Sequence, residues 1–392
     1  KRLDVTWNPV PNASSYTIKL YDATGTNELA TVSTTGTTRA LIESDFNFAE
    51  LAMYTVSVQA IGGVNYQDST ESSRTSARTR GLPQSITVDT AGADDATGSW
   101  IGGIWYTATL GTSRVTPSSI QTQMVSGNAT LQTAGAITIS SPVTAGTSRA
   151  LTLTSTGSNI ALNGSVSGLA SFQATCSSGN FTSNASGSVS ASGAVSVQCQ
   201  TITAAAAIQT AGNISLSGSG NLTANANVTS SSGSVSLTSG GTLTTASGAV
   251  VSAVGGNTAL TADSMVLGGS TRASTGIVTL TPSTTNRSIN IATTRDGSSL
   301  SLLPAEIERV SADTLRISNG GTGDIQIFTG FDLTSKVNKL AIRAGEHLTA
   351  NSGVVVVVAN LGIQAGGDID WPGTGGNAAV IALSAGATAT TM

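Results

Sequence analysis

The chain has 392 residues, of which only 10% are charged and 4% aromatic, and its formal net charge is −4. A weakly acidic chain does not attract nucleic acid or an anionic membrane, so we expect neither as a partner. Between Arg149 and Asp263 lie 113 consecutive residues without Asp, Glu, Lys, Arg or His. This excludes acid–base catalysis and carboxylate or imidazole metal sites from that stretch.

Residues 1–83 have ordinary charge density and larger side chains, which indicates a separate domain. Alternating apolar residues predict strands at 5–7, 16–21 and 54–60, with turns near the two prolines at 9 and 11. The aromatic residues of these strands are expected to form a sandwich core: Trp7, Tyr16 and Tyr54.

The order Trp-x-Pro, Tyr-x-Ile-x-Leu and Leu-x-x-Tyr-x-Val-x-Val-x-Ala, which starts at Trp7, Tyr16 and Leu51, resembles a fibronectin type III sandwich. The resemblance implies that Tyr54 is the tyrosine corner of that fold. It also implies that the Trp7 strand is the second strand, and that the first strand is missing. A sandwich without its edge strand exposes a hydrophobic groove and unpaired backbone groups.

Two explanations for the missing strand stay open. The sequence can be a fragment of a longer chain whose preceding residues fill the groove. Alternatively, the tail 378–392 donates a strand to the next molecule and builds a head-to-tail fibre by β-augmentation. The second explanation predicts a polymer interface made of Leu3, Val5, Trp7, Val380, Ile381 and Leu383.

Residues 84–124 form a junction that contains Trp100, Trp105 and Tyr106. An uncapped solenoid exposes both its core and its strand ladder, so we expect these aromatic residues to cap the first coil. A carbohydrate-binding aromatic platform is the alternative. Asp94 and Asp95 are interpreted as an isolated acidic turn.

Residues 125–392 are predicted to form a parallel β-helix. The pattern Gly-x-aliphatic-Ser-aliphatic begins at Gly193, Gly212 and Gly233, at spacings of 19 and 21 residues. A second series, at Leu222 and Leu243, repeats at 21 residues, so each period contains at least two strands. Fixed periods near 20 residues are typical of a solenoid. We therefore expect an all-β protein: a small sandwich followed by a long solenoid.

The alternation continues almost to the end of the chain, at 288–291, 299–302, 314–317, 324–327 and 340–342. With roughly 20 residues per coil, residues 88–392 predict about 15 coils and a rod about 70 Å long. The five valines at 354–358 would aggregate as an exposed edge. We therefore expect both of their faces to be covered, by the segment 332–338 or by a partner.

Cys176 and Cys199 are the only cysteines, and about one coil separates them. Stacking on neighbouring coils would bring them within reach of a disulfide bond, which favours an oxidising compartment. Two buried reduced thiols are the alternative.

The coils at 302–327 resemble those of the filamentous haemagglutinin type of bacterial surface protein, through Ala305-Glu306-Ile307, Ala312 to Ile317 and Gly323 to Ile327. The resemblance implies surface display, adhesion or fibre formation. Since there is no signal peptide and no apolar stretch of twenty residues, we expect a secreted, mature or internal portion without membrane insertion. We predict an extracellular location at a bacterial cell surface.

Right-handed β-helices also host polysaccharide lyases and hydrolases, which need two nearby carboxylates. The candidate pairs are Asp368 with Asp370, beside Trp371, and Glu306 with Glu308. We interpret the first pair as a polar turn and the lone His347 as a surface residue.

No metal or cofactor is predicted. The glycine-rich turn 319–324 has some features of a calcium-binding repeat, but it does not recur at nine-residue spacing. Asn-x-Ser/Thr triplets are expected to arise by chance in a chain this rich in such residues; they begin at Asn12, Asn128, Asn163, Asn180, Asn184, Asn213, Asn221, Asn227 and Asn286.

The sequence thus predicts a non-enzymatic structural subunit of an extracellular fibre or surface layer, with itself as the main partner. One alternative is a segment of a giant adhesin that binds glycans. The other is a β-helical polysaccharide lyase or hydrolase.

Overall fold

The computed structural model describes residues 2–42, 44–49, 52–146 and 149–371. These residues form an all-β protein with two helices, and most of them build a parallel β-solenoid of about 12 turns. The β-helix predicted from the sequence period is therefore confirmed. Two separate hydrophobic cores exist: one in the N-terminal domain, and one continuous cluster that runs from Ile86 to Ile363.

The N-terminal domain contains two antiparallel sheets that share one core. A two-stranded sheet pairs Arg2–Thr6 with Thr38–Ile42. A four-stranded sheet has the spatial order Glu28–Thr34, Ala13–Tyr21, Met53–Gly62 and Thr75–Arg78. The alternating burial of Ala13–Tyr21 places Ile18 and Leu20 in the core, since every second side chain of a strand points to the same face.

The junction is already part of the solenoid. Its strands are Ser85–Val88, Ser99–Ile101, Ile104–Tyr106 and Thr112–Val115, and Ser85–Val88 pairs in parallel with the later strand Ile137–Ile139. The helix Pro117–Ser126 follows, with Thr116 as its N-cap and proline in its first turn. Both features are typical helix-start signals, because the capping hydroxyl accepts a hydrogen bond from a free helical N–H.

Each regular coil has three strands, one more than the minimum that the two sequence series required. We call the three sides of the solenoid faces A, B and C. In one coil, Val195–Cys199 lies on face A, Thr201–Ala204 on face B and Ile208–Thr210 on face C. Face A otherwise consists of Ala129–Thr133, Ala150–Ser155, Ser171–Cys176, Ile214–Gly218, Val235–Ser239, Thr258–Thr261 and Asn360–Ala365.

The other two faces are built from shorter strands. Face B continues with Ile160–Leu162, Asn180–Ser183, Leu222–Ala224, Thr242–Thr245, Ser264–Leu267, Leu300–Leu302, Ile289–Ile291, Ile325–Ile327, Leu348–Ala350 and Ile369–Asp370. Face C consists of Val143–Thr144, Val166–Leu169, Val189–Ala191, Val228–Ser230 and Val250–Ala253. Three long strands bend from face C into face A: Ser270–Thr281, Val310–Ser318 and Val337–Ala344.

The sequence repeat corresponds to neighbouring positions of one ladder. Val195 pairs with Ile214, and Ile214 pairs with Val235, while Leu222 pairs with Leu243 on face B. These apolar side chains are at most 1% exposed, whereas Ser196, which follows Val195, is half-buried. Aliphatic residues therefore fill the interior, and hydroxyl residues cover the outside, as the alternation predicted.

The expected count of about 15 coils is too high, since the solenoid has about 12 turns. Two coils are much longer than the rest. Ile86 pairs with Ile137 because the cap is inserted between them, and Leu280 pairs with Ile317 across a second insertion. This second insertion carries the strands Ile289–Ile291 and Leu300–Leu302 and the short helix Pro304–Ile307. A uniform period ignores such insertions.

Candidate functional site

The structure joins Cys176 and Cys199 by a disulfide bond, with their Cα atoms 4.5 Å apart. Both residues end a face A strand. In the same ladder, Ser155 pairs with Cys176, and Cys199 pairs with Gly218. The bond therefore links two neighbouring coils covalently at a position where other coils carry small or hydroxyl residues.

Residues of the predicted polymer interface lie on the strand Arg2–Thr6 and just after it. Leu3 is buried in the domain core, and Val5 and Trp7 pack against that core while staying partly exposed. Within the residues that the structure describes, this strand pairs along one edge only, with Thr38–Ile42. The other predicted half of the interface, Val380, Ile381 and Leu383, lies outside the described residues.

Of the three aromatic residues expected in the sandwich core, Tyr54 belongs to it, Tyr16 is buried, and Trp7 packs against the core while staying partly exposed. Trp7 packs edge-on against Tyr16, with the ring centroids 5.3 Å apart. The Tyr16 hydroxyl accepts a hydrogen bond from the Val10 amide at 2.9 Å, and the Tyr54 hydroxyl accepts one from the Ala49 amide at 3.0 Å. The sequence analysis missed two further core rings, Phe46 and Phe48, which pack edge-on against Tyr54.

The aromatic residues of the junction lie in a hairpin at the first coil. Trp100 and Trp105 pair across this hairpin, with ring centroids 5.3 Å apart, and Ile104 pairs with Thr130 of the next coil. Trp105 is only 2% exposed, and Tyr106 is half-buried. The Trp105 ring therefore lies in the core and presents no open face on which a sugar could stack, whereas Trp100 and Tyr106 stay partly exposed.

Asp95 is the hydrogen-bonding centre of this cap, and its interpretation as an isolated acidic turn was wrong. Its carboxylate accepts hydrogen bonds from the hydroxyls of Thr107 at 2.6 Å, Thr109 at 2.8 Å and Ser113 at 3.0 Å. Ser113 in turn accepts a hydrogen bond from the Trp105 indole at 2.9 Å. The sequence signal was the density of Thr and Ser around one acid, which we did not use.

The pKa of Asp95 results from two opposing effects. Partial burial raises it, because the charged form loses water. Hydrogen bonds from Thr107, Thr97 and Thr109 lower it, and they prevail, so that the pKa lies below the usual value. Asp95 is thus a charged acceptor that organises the hydroxyls of the cap. The neighbouring Asp94 accepts a hydrogen bond from the Thr116 amide at 2.6 Å and so fixes the start of the helix.

The carboxylate pair Glu306 and Glu308 is not arranged for glycoside hydrolysis. Glu306 is 4% exposed, and its oxygens accept from the Leu267 amide at 2.6 Å and the Leu303 amide at 3.0 Å. It also forms an ion pair with Arg295 at 2.5 Å. These contacts fasten the second insertion to the coil below it. A carboxylate that is buried and fully engaged cannot reach a polysaccharide.

Asp368, Asp370 and His347 lie near the last described coil. The Asp368 amide donates to His347 Nδ1 at 3.1 Å, and the Asp368 carboxylate is 3.7 Å from the same nitrogen. The side chains of His347 and Asp368 are 49% and 88% exposed. The two residues form a turn contact between coils, and Trp371 packs against the core.

The turn 319–324 is closed by its own side chain. Asn319 is 2% exposed; its amide group donates to the Gly323 carbonyl, and its oxygen accepts from the Gly345 amide at 2.8 Å. Asp324 accepts from the His347 amide at 3.0 Å. Among the described residues no group of three or more His, Cys, Asp and Glu could hold a metal ion.

Within the described chain, one face of the valine run at 354–358 is covered, and coverage of the other face by a partner stays a prediction. Val356 is buried and pairs with Phe331, in a separate two-stranded sheet formed by Phe331–Asp332 and Val356–Val357. Val355 is 65% exposed and Val357 is 42% exposed. Strand alternation turns these two side chains to the solvent, and the segment 332–338 does not cover them.

Several asparagines of the Asn-x-Ser/Thr triplets link successive coils. The side-chain oxygen of Asn213 accepts from the Ser234 amide at 2.8 Å, and that of Asn221 accepts from the Thr242 amide at 2.9 Å. Asn128 and Asn227 make the same contact with Ala150 and Val250. These side chains hold the corners of the solenoid together, which the sequence analysis did not anticipate.

Comparison with known proteins adds no relative: no family model, no curated protein and no solved structure matches this chain. Within the part of the chain that the structure describes, neither helix is long and apolar enough to cross a membrane. The candidate functional features of the described residues are the edge strand Arg2–Thr6 of the N-terminal domain and the outer faces of the solenoid.

Proposed function

We propose that this chain is a non-enzymatic structural subunit of an extracellular fibre or surface layer, and that it assembles head-to-tail by strand complementation. One observation carries the proposal: within the described residues, the strand Arg2–Thr6 lies at the edge of a two-stranded sheet, with Thr38–Ile42 as its strand partner. The backbone of a strand at the edge of a sheet can be bound by a strand of another molecule.

The imbalance of the two sheets supports this proposal. A two-stranded sheet faces a four-stranded sheet across the shared core. The hydrogen bond from the Ala49 amide to the Tyr54 hydroxyl supports a likeness to the tyrosine corner of a fibronectin type III sandwich. We propose this family likeness for the domain. A third strand beside Arg2–Thr6 would complete the smaller sheet.

The tail of a neighbouring molecule is the proposed donor. Val380, Ile381 and Leu383 supply closely spaced apolar side chains within a stretch that has no charged residue. Such a segment can add a strand through its backbone while its apolar side chains cover the core beside Leu3 and Trp7. One donor and one acceptor per chain generate an open, head-to-tail polymer.

The solenoid suits material outside cells, which is the proposed location. Its core is a continuous aliphatic stack, and the Cys176–Cys199 bond links two coils. Disulfide bonds persist in oxidising compartments, including bacterial surfaces. The stability of a solenoid with long backbone ladders and a surface of hydroxyls depends little on salt, because few charges contribute to it.

Electron microscopy of the concentrated full chain tests the proposal. Wild-type protein should form filaments, and the double variant Val380→Asp, Ile381→Asp should remain monomeric because it places two charges in the proposed donor strand. The matched control Thr388→Asp, Thr390→Asp adds the same charge further along the tail and should form filaments. Wild-type protein that stays monomeric at every concentration, or an Asp variant that polymerises like the control, would refute strand complementation.

A synthetic peptide of residues 378–392 gives an independent measurement. If the tail fills the groove beside Arg2–Thr6, the peptide should compete with it and shorten the filaments, whereas a scrambled peptide should not. Equal effects of the two peptides would count against a sequence-specific donor strand.

A further inference from the structure

Several basic side chains of the solenoid bind its own backbone. In the second insertion, Arg287 donates to the Gly297 carbonyl at 2.8 Å, and Arg295 donates to the Ser301 carbonyl at 2.7 Å. Arg309 likewise donates to the Leu267 carbonyl at 3.0 Å. These cations hold the polypeptide in place. Three others on face A do not, and we call Arg316, Lys339 and Arg343 the basic strip.

The basic strip occupies neighbouring positions on two adjacent strands. Arg316 pairs with Ala341, and Lys339 and Arg343 lie two residues to either side of Ala341 on the same strand. Strand alternation turns all three side chains outward, and Lys339 and Arg343 are exposed. Coils are about 4.8 Å apart and alternate residues about 7 Å apart, so three positive charges share a small area of a flat sheet.

These cations form no ion pair within the part of the chain that the structure describes. Within the described residues none of the three lies within 4.0 Å of a carboxylate oxygen. Asp313, near one end of the strip, instead accepts hydrogen bonds from Asn338 at 3.2 Å and Thr314 at 3.1 Å.

The residues between the cations of the basic strip have small side chains or none. Ala341 and Gly362 follow Arg316 on successive coils, and the Lys339 side chain passes beside Gly362. The next strand adds Asn360 beyond Lys339 and Gln364 beyond Arg343, and Gln364 accepts from Arg343 at 2.9 Å. Amides beside cations provide donors and acceptors for a ligand that is rich in hydroxyls as well as negatively charged.

The strip extends between two surface clefts. One, of about 280 Å³, contains Arg343 and Gln364, and the other, of about 590 Å³, contains Lys336 and Asn338. From Lys339 to Arg343 the strand covers about 13 Å. A site of this length suits an extended polymer better than a single small anion.

We propose that the basic strip binds an acidic polysaccharide, with uronate carboxylates on Arg316, Lys339 and Arg343. Arginine pairs with carboxylates through two parallel hydrogen bonds, and the neighbouring amides bind sugar hydroxyls. Nucleic acid is the less suitable polyanion, because single-stranded nucleic acid binds through aromatic stacking platforms. The outward positions of the β-strands Val310–Ser318, Val337–Ala344 and Asn360–Ala365 carry no aromatic residue. The site does not require the chain to polymerise.

Binding of full-length protein to polygalacturonate tests the proposal, with methyl-esterified polygalacturonate and single-stranded DNA as comparison ligands. The triple variant Arg316→Gln, Lys339→Gln, Arg343→Gln should lose affinity by about tenfold for each cation removed. Arg272→Gln is compared with the single variant Arg316→Gln, because each removes one positive charge and Arg272 is an exposed cation on face C of the same coils. Arg272→Gln should bind like the wild type, and Arg316→Gln should bind about tenfold more weakly.

The outcomes are decisive in both directions. Losses in the triple variant and in Arg316→Gln but not in Arg272→Gln, with weak binding of the esterified polymer and an unchanged thermal unfolding midpoint, support the site. Equal losses in Arg316→Gln and in Arg272→Gln would show non-specific attraction and overturn it. Stronger binding of DNA than of polygalacturonate, or no binding of polygalacturonate by the wild type, would also overturn it.

Discussion

Gly233 lies directly against Gly212 of the preceding coil: a β-carbon on Gly233 would be 2.4 Å from the Gly212 carbonyl carbon. These two residues begin the repeated pattern from which the solenoid was predicted. The contact explains why the pattern begins with glycine, since any side chain here would separate the coils. The same relationship continues to Gly256, which would meet Gly233 at 2.6 Å.

Replacing Gly233 by Ala should therefore destabilise the solenoid by about 1–3 kcal/mol, the usual cost of overpacking. Gly297→Ala is the control because a β-carbon there has no neighbour within 4 Å, and we expect its effect to stay within about 0.5 kcal/mol. Chemical denaturation compares the free energies of unfolding. Equal effects of the two substitutions would mean that the close approach of the coils at Gly233 has no energetic weight.

The disulfide bond should stabilise the coils that it joins. Cys176 and Cys199 close a loop of 23 residues, and a loop of this size is worth about 3 kcal/mol in the chain-entropy account. The double variant Cys176→Ser, Cys199→Ser should lose this amount while keeping the fold, because Ser155 occupies the same ladder position in the coil before.

Reduction provides the control for this prediction. Dithiothreitol should lower the unfolding free energy of the wild type and leave that of the double Ser variant unchanged. If hydrogen exchange in the strands Ser171–Cys176 and Val195–Cys199 is equally slow in oxidised and reduced wild type, the bond adds nothing to the stability of these coils.

The solenoid was predictable because the same sequence pattern recurs from coil to coil. The pairing of Val195 with Ile214 and Val235 follows from a repeat of glycine and alternating aliphatics. The long coils were not predictable in the same way, because an insertion such as the one between Leu280 and Ile317 interrupts the repeat without changing the core.

The candidate site residues also divide into those whose positions the sequence predicted and those whose positions it did not. Local alternation predicted the buried position of Tyr16, against which Trp7 packs, and one-coil spacing predicted the proximity of Cys176 and Cys199. The role of Asp95 depends on Thr107 and Ser113, which reach it only after the chain has folded back at the cap. Charge density along the sequence cannot reveal such a convergence. It also missed the basic strip, because Arg316 comes close to Lys339 and Arg343 only by the pairing of neighbouring coils.

Asp95→Asn should destabilise the cap at neutral pH. The amide has one acceptor oxygen in place of two, so it leaves hydroxyls such as that of Thr107, which is buried, without an acceptor. We expect a loss of about 1–3 kcal/mol, the usual cost of an unsatisfied buried group. Thermal unfolding followed by the fluorescence of Trp100 and Trp105 measures it. Asp370→Asn, at an exposed position, is the control and should have little effect.

The pH dependence of this difference is a separate prediction. Because the pKa of Asp95 is lowered in the folded protein, its ionised form contributes stability above about pH 3.9, the value for an unfolded chain. That contribution is lost as the pH falls through the lower, folded pKa. The stability gap between wild type and Asp95→Asn should therefore narrow below about pH 4. A gap that stays constant from pH 7 to pH 2 would show that the charge of Asp95 is not responsible.

The asparagine contacts between coils predict a local effect that hydrogen exchange can resolve. Asn213→Ala removes the acceptor of the Ser234 amide, so this amide should exchange faster, at a cost of about 1 kcal/mol. Asn213→Asp keeps an oxygen at the same place and should preserve the slow exchange. The Thr242 amide, which donates to Asn221, is the internal control and should exchange equally in all three proteins. Faster exchange at both amides in Asn213→Ala would indicate general loosening of the solenoid, whereas no change at Ser234 would show that the side-chain contact does not hold the corner.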